Sequence, residues 1–296
     1  MVGALKRQPL KEKHFVHGAF FVKRPGYSDR FLRILEVLVS HNGIYTPEKI
    51  EIGSDKGELT EIFDAGSLKR YSLHWEKAGP FAACILRRLS PSRVEIYLNK
   101  VPLPFEPIGV NVERSYFEDS ARLHSFMDVM RDLYSVSQPS YGLVETQEMV
   151  KRYDDKGGKV TMGIDLERAL PDIYWANFFG PDYVRLFGKE KLESAPCYRV
   201  EWLSDGGVLL LVTPTLSDYD SDPENFGRVR TAVKEHLGIG AFDNGDWHFR
   251  GRVPMFFSPE ERKKILSTGA GAGVGVTTPC DSLSTVRRAE WQMDGG

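Results

Sequence analysis

An α+β fold, with mixed or antiparallel sheets packed against amphipathic helices and a possible pair of similar lobes, follows from three features of the sequence. Segments that alternate apolar and polar residues stand beside segments whose apolar residues recur at helical spacing. The two kinds do not follow a regular strand-helix-strand rhythm, which argues against a doubly wound parallel sheet. The chain has 296 residues, 41% apolar and 27% charged, ordinary globular values. A chain of that length buries about three quarters of its unfolded surface.

Taken in order, Phe15, Val16, Ala19, Phe20, Phe21 and Val22 predict a strand that Pro25-Gly26 closes. Ser28 or Asp29 is then placed to cap a helix reaching Ser40, with Phe31, Leu32, Ile34, Leu35, Leu38 and Val39 at helical spacing. Over 44–90 the apolar residues fall in small groups: Ile50 and Ile52, then Leu59, Ile62 and Phe63, then Tyr71, Leu73 and Trp75. Short strands are expected there, separated by Gly53, Gly57 and Gly66. Val94, Ile96 and Leu98 alternate with Glu95, Tyr97 and Asn99 and predict a strand with one buried face, and 108–114 is extended. A helix capped near Asp119 or Ser120 carries the stripe Leu123, Phe126, Met127, Met130, Leu133 and Tyr134.

The second half opens after a polar, Gly-bearing stretch, 151–163, read as a linker. Tyr174, Trp175, Phe178, Phe179, Tyr183 and Phe187 make the densest aromatic cluster, with Pro181 suited to the first turn of a short helix. Tyr198, Val200 and Trp202, the turn Ser204-Asp205-Gly206-Gly207, and 208–213 predict a β-hairpin. A helix follows Asp222-Pro223 with Phe226, Val229, Val233 and Leu237 on one face and ends at Gly238. From Ser267 on, glycines alternate with small residues before a polar end. The expected organisation is therefore an N-terminal lobe over 1–150, a C-terminal lobe over 164–266 and a disordered tail over 267–296.

Charge and cysteine content narrow the function. Lys plus Arg total 39 against 41 Asp plus Glu, a formal charge of -2, so no overall field draws the chain to phosphate backbones, and nucleic acid is not an expected partner. Cys84, Cys197 and Cys280 form neither a metal-type nor a redox-type pair and read as buried free thiols. The first thirteen residues lack the apolar segment of a signal peptide, and the densest apolar run, 208–212, is far short of the roughly 20 residues of a membrane helix. A cytoplasmic protein that neither spans nor enters a membrane is expected.

Motifs for chemistry are sparse. The spacing of Gly269, Gly271, Gly273 and Gly275 does not fit a dinucleotide fingerprint, and no phosphate loop occurs. His14 and His17, three apart in a strand, point to opposite faces and make a poor metal pair. The segment 218–224 gathers Asp218, Tyr219, Asp220, Asp222 and Glu224. Read as a calcium loop it fails, with Pro223 where Gly is needed and Val229 where Glu is needed. Read as a helix start it places Asp222 at N-cap, Pro223 at N1 and Glu224 beside the positive helix end. Read as a surface, Asp218, Tyr219, Asp220 and Glu224 are candidates for binding a basic partner. An uncharacterised metal- or small-molecule-dependent enzyme using these carboxylates stays open as the alternative. No cofactor, bound metal or catalytic residue is assigned.

Tyr174-Trp175-Ala176-Asn177-Phe178-Phe179-Gly180-Pro181, followed by Leu186-Phe187-Gly188-Lys189-Glu190-Lys191-Leu192 and Gly206-Gly207-Val208-Leu209-Leu210, resembles the immunity protein 52 family of bacterial polymorphic-toxin immunity proteins, with type VI immunity proteins as relatives. The likeness is clearest over 170–215. It implies an α+β protein that neutralises a cognate protein toxin by stoichiometric binding, without catalysis. Trp175, Asn177, Gly180 and Gly188 match the family pattern, and with Gly206 and Gly207 they read as packing and turn positions.

Overall fold

Alternation at a period of two is realised in a single sheet. The computed structural model describes residues 15–24, 28–41, 43–54, 57–79, 81–100, 103–146, 164–246 and 248–269. Its strands are β1 (Phe15–Lys23), β2 (Lys49–Ser54), β3 (Gly57–Ile62), β4 (Ala83–Arg88), β5 (Val94–Asn99), β6 (Phe105–Glu113), β7 (Tyr141–Thr146), β8 (Ala176–Phe179), β9 (Arg199–Trp202) and β10 (Val208–Leu211). They pair in the order β3-β2-β4-β5-β6-β1-β7-β8-β10-β9, each neighbour antiparallel. The fold is α+β. The sheet continues from one half of the chain to the other where β7 pairs with β8, and the expected linker 151–163 lies outside the described residues.

One row of directly opposed residues shows why this sheet has an inside. Ile52, Cys84, Leu98, Ile108, Phe20, Gly142, Phe178 and Leu209 face one another in turn across eight strands. Apart from Gly142 all are buried side chains. Gly142 is needed there because a Cβ would stand 2.3 Å from the Phe20 ring. That ring meets Tyr134 and Phe178 edge-on instead, at centroid distances of 6.0 and 5.2 Å.

Helices α1 (Phe31–Ser40), α2 (Leu68–Lys77) and α3 (Ser120–Ser137) cover this inner face. Phe31 of α1 stacks on Trp75 of α2 at 4.9 Å, and Met130 and Phe126 of α3 fill the space above Gly18. Asp119 caps α3 by accepting a bond from the Ala121 N–H at 2.9 Å, as its sequence predicts. On the other face α4 (Pro181–Phe187) packs on β8, and α5 (Lys189–Glu193) packs on α7 (Pro223–Leu237), with the short α6 (Asp218–Ser221) before α7 and α8 (Pro259–Gly269) closing the described chain. Tyr183 and Phe187 of α4 lie against Phe179 of β8, and Phe256 packs on both Tyr183 and Phe105.

Three local readings are corrected. Tyr71, Leu73 and Trp75 form no strand: they lie in α2, where Tyr71, Ser72 and Trp75 are buried at helical spacing and Leu73 faces out. Neither Ser28 nor Asp29 caps α1, because both sit in a 3-10 turn leading into it. Within the aromatic cluster Ala176–Phe179 is extended, and Pro181 opens the short helix that carries Tyr183 and Phe187, as its sequence predicts. Helix α8 reaches three residues into the supposed tail, to Gly269. It is started by Ser258, whose Oγ accepts from the Glu261 N–H at 3.2 Å while Glu261 accepts from the Ser258 N–H at 2.8 Å. Residues 270–296, including Cys280, lie outside the described chain.

Candidate functional site

The face opposite the α1–α3 layer is polar over β2, β4, β5 and β6. Alternation in β2, β4 and β6 leaves Lys49, Glu51, Ile85, Arg87, Gly109 and Asn111 half-buried, while Ile50, Ile52, Cys84, Leu86, Ile108, Val110 and Val112 are buried. In register, Lys49, Arg87, Glu95, Asn111, His17 and Glu145 oppose one another across β2, β4, β5, β6, β1 and β7. Directly opposed side chains stand about 5 Å apart at Cβ, so a row of this kind is a continuous line of contacts.

The row is tied together by charge. Glu51 accepts from Arg87 at 2.6 Å and from Lys49 at 2.8 Å, and Arg87 also lies 3.5 Å from Glu95. Glu95 bonds Arg93 at 2.7 Å and the Tyr97 hydroxyl. Burial works against the charge on Glu95, but Tyr97, Arg93 and Arg87 outweigh it and hold the carboxyl below its usual range. His17 Nδ1 lies 2.6 Å from the Asn111 amide oxygen, which can only accept, so Nδ1 carries the proton and Nε2 keeps its lone pair. Burial pushes the His17 imidazole below its ordinary value, against the raising effect of that bond.

At its far end the row passes under α7. Glu145 is fully buried, and burial pushes its carboxyl up to about 8 although the Thr146 and Trp175 N–H groups donate to it at 2.6 and 3.2 Å and Arg230 is close by. Asp172 is buried between Arg230, with which it pairs directly, and Lys234, 2.9 Å away. Burial opposes the charge on Arg230, yet Asp172 and Glu145 raise its value overall. This end sets two buried acids against two partly exposed bases, an arrangement in which a buried acid tolerates loss of its partner badly.

The residues singled out by resemblance all serve this second half. Trp175 is buried, and its indole N–H donates to the Thr213 carbonyl at 3.1 Å. Asn177 pins a loop, accepting from the Tyr174 N–H at 2.9 Å and donating to the Tyr174 carbonyl at 2.8 Å. Gly180 precedes α4, where a Cβ would meet the Pro139 carbonyl oxygen at 2.5 Å, and Gly188, at φ +89, joins α4 to α5. Gly206 and Gly207 form the turn between β9 and β10, and Asp205 accepts from the Gly207 N–H at 2.9 Å and from the Tyr134 hydroxyl at 3.0 Å.

In the acidic segment each residue has a separate task. Asp218 accepts from the Thr215 N–H and hydroxyl at 2.9 and 2.7 Å, Asp220 pairs with Arg114, and Asp222 caps α7 by accepting from the Asn225 N–H at 3.2 Å. Tyr219 is buried edge-on against Phe226 and so offers no exposed ring, whereas Glu224 is exposed in the first turn of α7. No group of three or more His, Cys, Asp or Glu able to hold a metal ion occurs among the described residues, and His14 lies outside them. Cys84 is buried and Cys197 half-buried, and burial raises both thiols.

Sequence reasoning missed Glu145, Asp172, Arg230 and Lys234 as a group, and Lys49, Arg87 and Glu95 as a row. The only local signal was the Glu95-Tyr97-Asn99 alternation, since the rest depends on register between strands distant in sequence.

No family model and no curated protein matches the chain by sequence, so the immunity protein 52 resemblance gains no match there. Among solved structures, a Pseudomonas aeruginosa T6SS protein, PA0821, is similar with a TM-score of 0.51 at 9% identity, over 76% of this chain and 75% of that one. At that identity the likeness is one of fold. No helix among the described residues is long and apolar enough to cross a membrane.

Proposed function

We propose that this chain is an immunity protein of a type VI-type system that binds a cognate protein toxin and neutralises it stoichiometrically in the cytoplasm. The observation that carries the reading is the polar row from Lys49 to His17. It is held in register on the sheet with its charges already paired, with Lys49 and Arg87 partly exposed beside the buried Glu95. A pre-organised surface of paired charges loses little entropy on binding and steers a partner of complementary pattern. Support also comes from the T6SS protein of similar fold, and from an acidic segment whose carboxylates are occupied separately and gathered around no common point. Asp220 with Arg114, and Glu224, would meet the partner as rim charges.

The test is binding between the purified chain and the protein encoded beside it, followed by Arg87→Glu. The variant is expected to weaken the complex by at least about tenfold through like charge at a patterned surface. A complex unchanged by Arg87→Glu would move the interface away from this face, and absence of any complex would remove the immunity reading.

A second reading, an acid-base enzyme, is favoured by one observation: Glu145 and His17 oppose each other with values displaced in opposite directions by burial, as in many catalytic pairs. Under that reading Glu145→Gln abolishes protection without weakening toxin binding. Under the first it leaves protection intact.

A further inference from the structure

Among the described residues the sheet ends at β3 and β9, and an end strand presents a row of backbone N–H and C=O groups that proteins usually guard. β3 is guarded by composition. Its only charged residues are Glu58 and Glu61, so a second copy of β3 laid antiparallel against it meets no charge of opposite sign.

β9 is built differently. Its chain Tyr198-Arg199-Val200-Glu201-Trp202 exposes Tyr198 by 57% and Trp202 by 37%, and the Arg199 side chain by 58%. Tyr and Trp are the residues that most often anchor protein interfaces. Glu201 is already oriented by Arg131 of α3, at 2.8 and 3.1 Å, and Lys189 lies 5.2 Å from the centre of the Trp202 ring.

Self-pairing of this strand about a two-fold axis perpendicular to the sheet has few registers to choose from. Directly opposed residues must share a face, so the axis passes beside Arg199, Val200 or Glu201. Centred on Arg199, it sets two arginines against each other; centred on Glu201, two glutamates. Centred on Val200, it opposes Arg199 to Glu201 of the second copy twice over, and Tyr198 to Trp202 twice over. Opposite charges and paired aromatics are both favourable across strands, and one register out of three supplies both.

We propose that β9 is a homodimer interface, joining two copies edge to edge about an axis at Val200 into one continuous sheet. The contact is isologous and closes, so it makes a dimer and not a fibre, and β3 remains the guarded outer end of each copy. The polar row lies on other strands, so each copy keeps its own.

Light scattering and sedimentation of the full chain at micromolar concentration test this. The parent is expected to be a dimer, whereas Arg199→Glu and Glu201→Arg each set like charges across the axis and raise the dimer dissociation constant by more than about tenfold. Mixing the two variants in equal amounts restores a dimer, because substituted side chains then face residues of opposite sign. Val200→Cys in a Cys197→Ser, Cys280→Ser background, which does not depend on charge, is expected to form a reducible dimer on mild oxidation. A monomeric parent overturns the proposal, as does a dimer untouched by Arg199→Glu or a failure of Val200→Cys to cross-link. So does a monomeric parent whose Arg199→Glu variant loses the toxin, because the edge then belongs to the toxin.

Discussion

Two rows cross the same strands and obey opposite rules. The row from Ile52 through Leu98 and Phe20 to Leu209 is closed by helices and depends on volume, to the point that Gly142 carries no Cβ because Phe20 occupies the space. The row from Lys49 through Glu95 and His17 to Glu145 depends on charge, and it changes character along its length, half-exposed at β2 and β4 and fully buried at β7. The fold needs the first row to bury apolar area. It does not need Lys49, Arg87 and Glu95, three ionised groups, in line on the second, and the proposed function is what would give that charged row a use.

The comparison breaks most readily where the two kinds of packing meet, at Trp175. Its ring is buried and its backbone N–H holds Glu145, so Trp175→Ala is expected to cost about 3 to 5 kcal/mol in a urea denaturation series. A variant as stable as the parent would show that the second half is packed by something other than this aromatic cluster. The closed row is next. Gly142→Ala forces the Phe20 ring to move against Tyr134 and Phe178, and a loss of about 1 to 3 kcal/mol is expected from overpacking.

The buried end of the polar row makes a prediction about pH. Glu145 is raised in the fold to about 8 from an unfolded value near 4.5, so between those values the folded chain holds a proton that the unfolded chain has lost. Stability from this group is therefore complete below about pH 4.5 and falls as pH rises towards 8, by at most about 1.4 kcal/mol per pH unit. Glu145→Gln should abolish that component, which stability curves of parent and variant at several pH values would show. Parallel curves would mean that Glu145 is ionised and held by Arg230 throughout.

What was legible in the sequence is what each strand or helix carries within itself. Alternation in β5, the stripe of α3, the hairpin of β9 and β10, and the Asp222-Pro223 start of α7 all rest on contacts a few residues apart. Helix α2 was misread because Tyr71, Leu73 and Trp75 also satisfy a period of two, and only burial of Ser72 and exposure of Leu73 decide between the periods. The polar row was illegible for another reason. Lys49 and His17 join one line only after β2, β4, β5, β6 and β1 are ordered and registered, and no residue in either neighbourhood records that order. The acidic segment is the opposite case: it is conspicuous locally, and only the fold shows that Tyr219 lies inside and that Asp218, Asp220 and Asp222 have partners of their own.

The smallest expected effect is the sharpest test of the difference between the rows. Arg87→Ala removes a cation that touches two carboxylates, which in a buried cluster would strand two charges. Here each carboxylate has a second cation, since Lys49 lies 2.8 Å from Glu51 and Arg93 lies 2.7 Å from Glu95, and water reaches the arginine side chain at 32% exposure. The neighbours therefore stay compensated, and the loss reduces to that of a partly screened pair, about 1 kcal/mol or less. Binding should respond differently, because a partner reads the pattern of charge and Arg87 sits at its centre. Arg87→Ala is thus expected to leave the unfolding curve nearly unchanged while, if the proposed toxin binds this face, slowing its association and weakening the salt dependence. Measured together, an unfolding loss well above 1 kcal/mol would place Arg87 with the structural row, and an unchanged association rate would deny the polar row its role in binding.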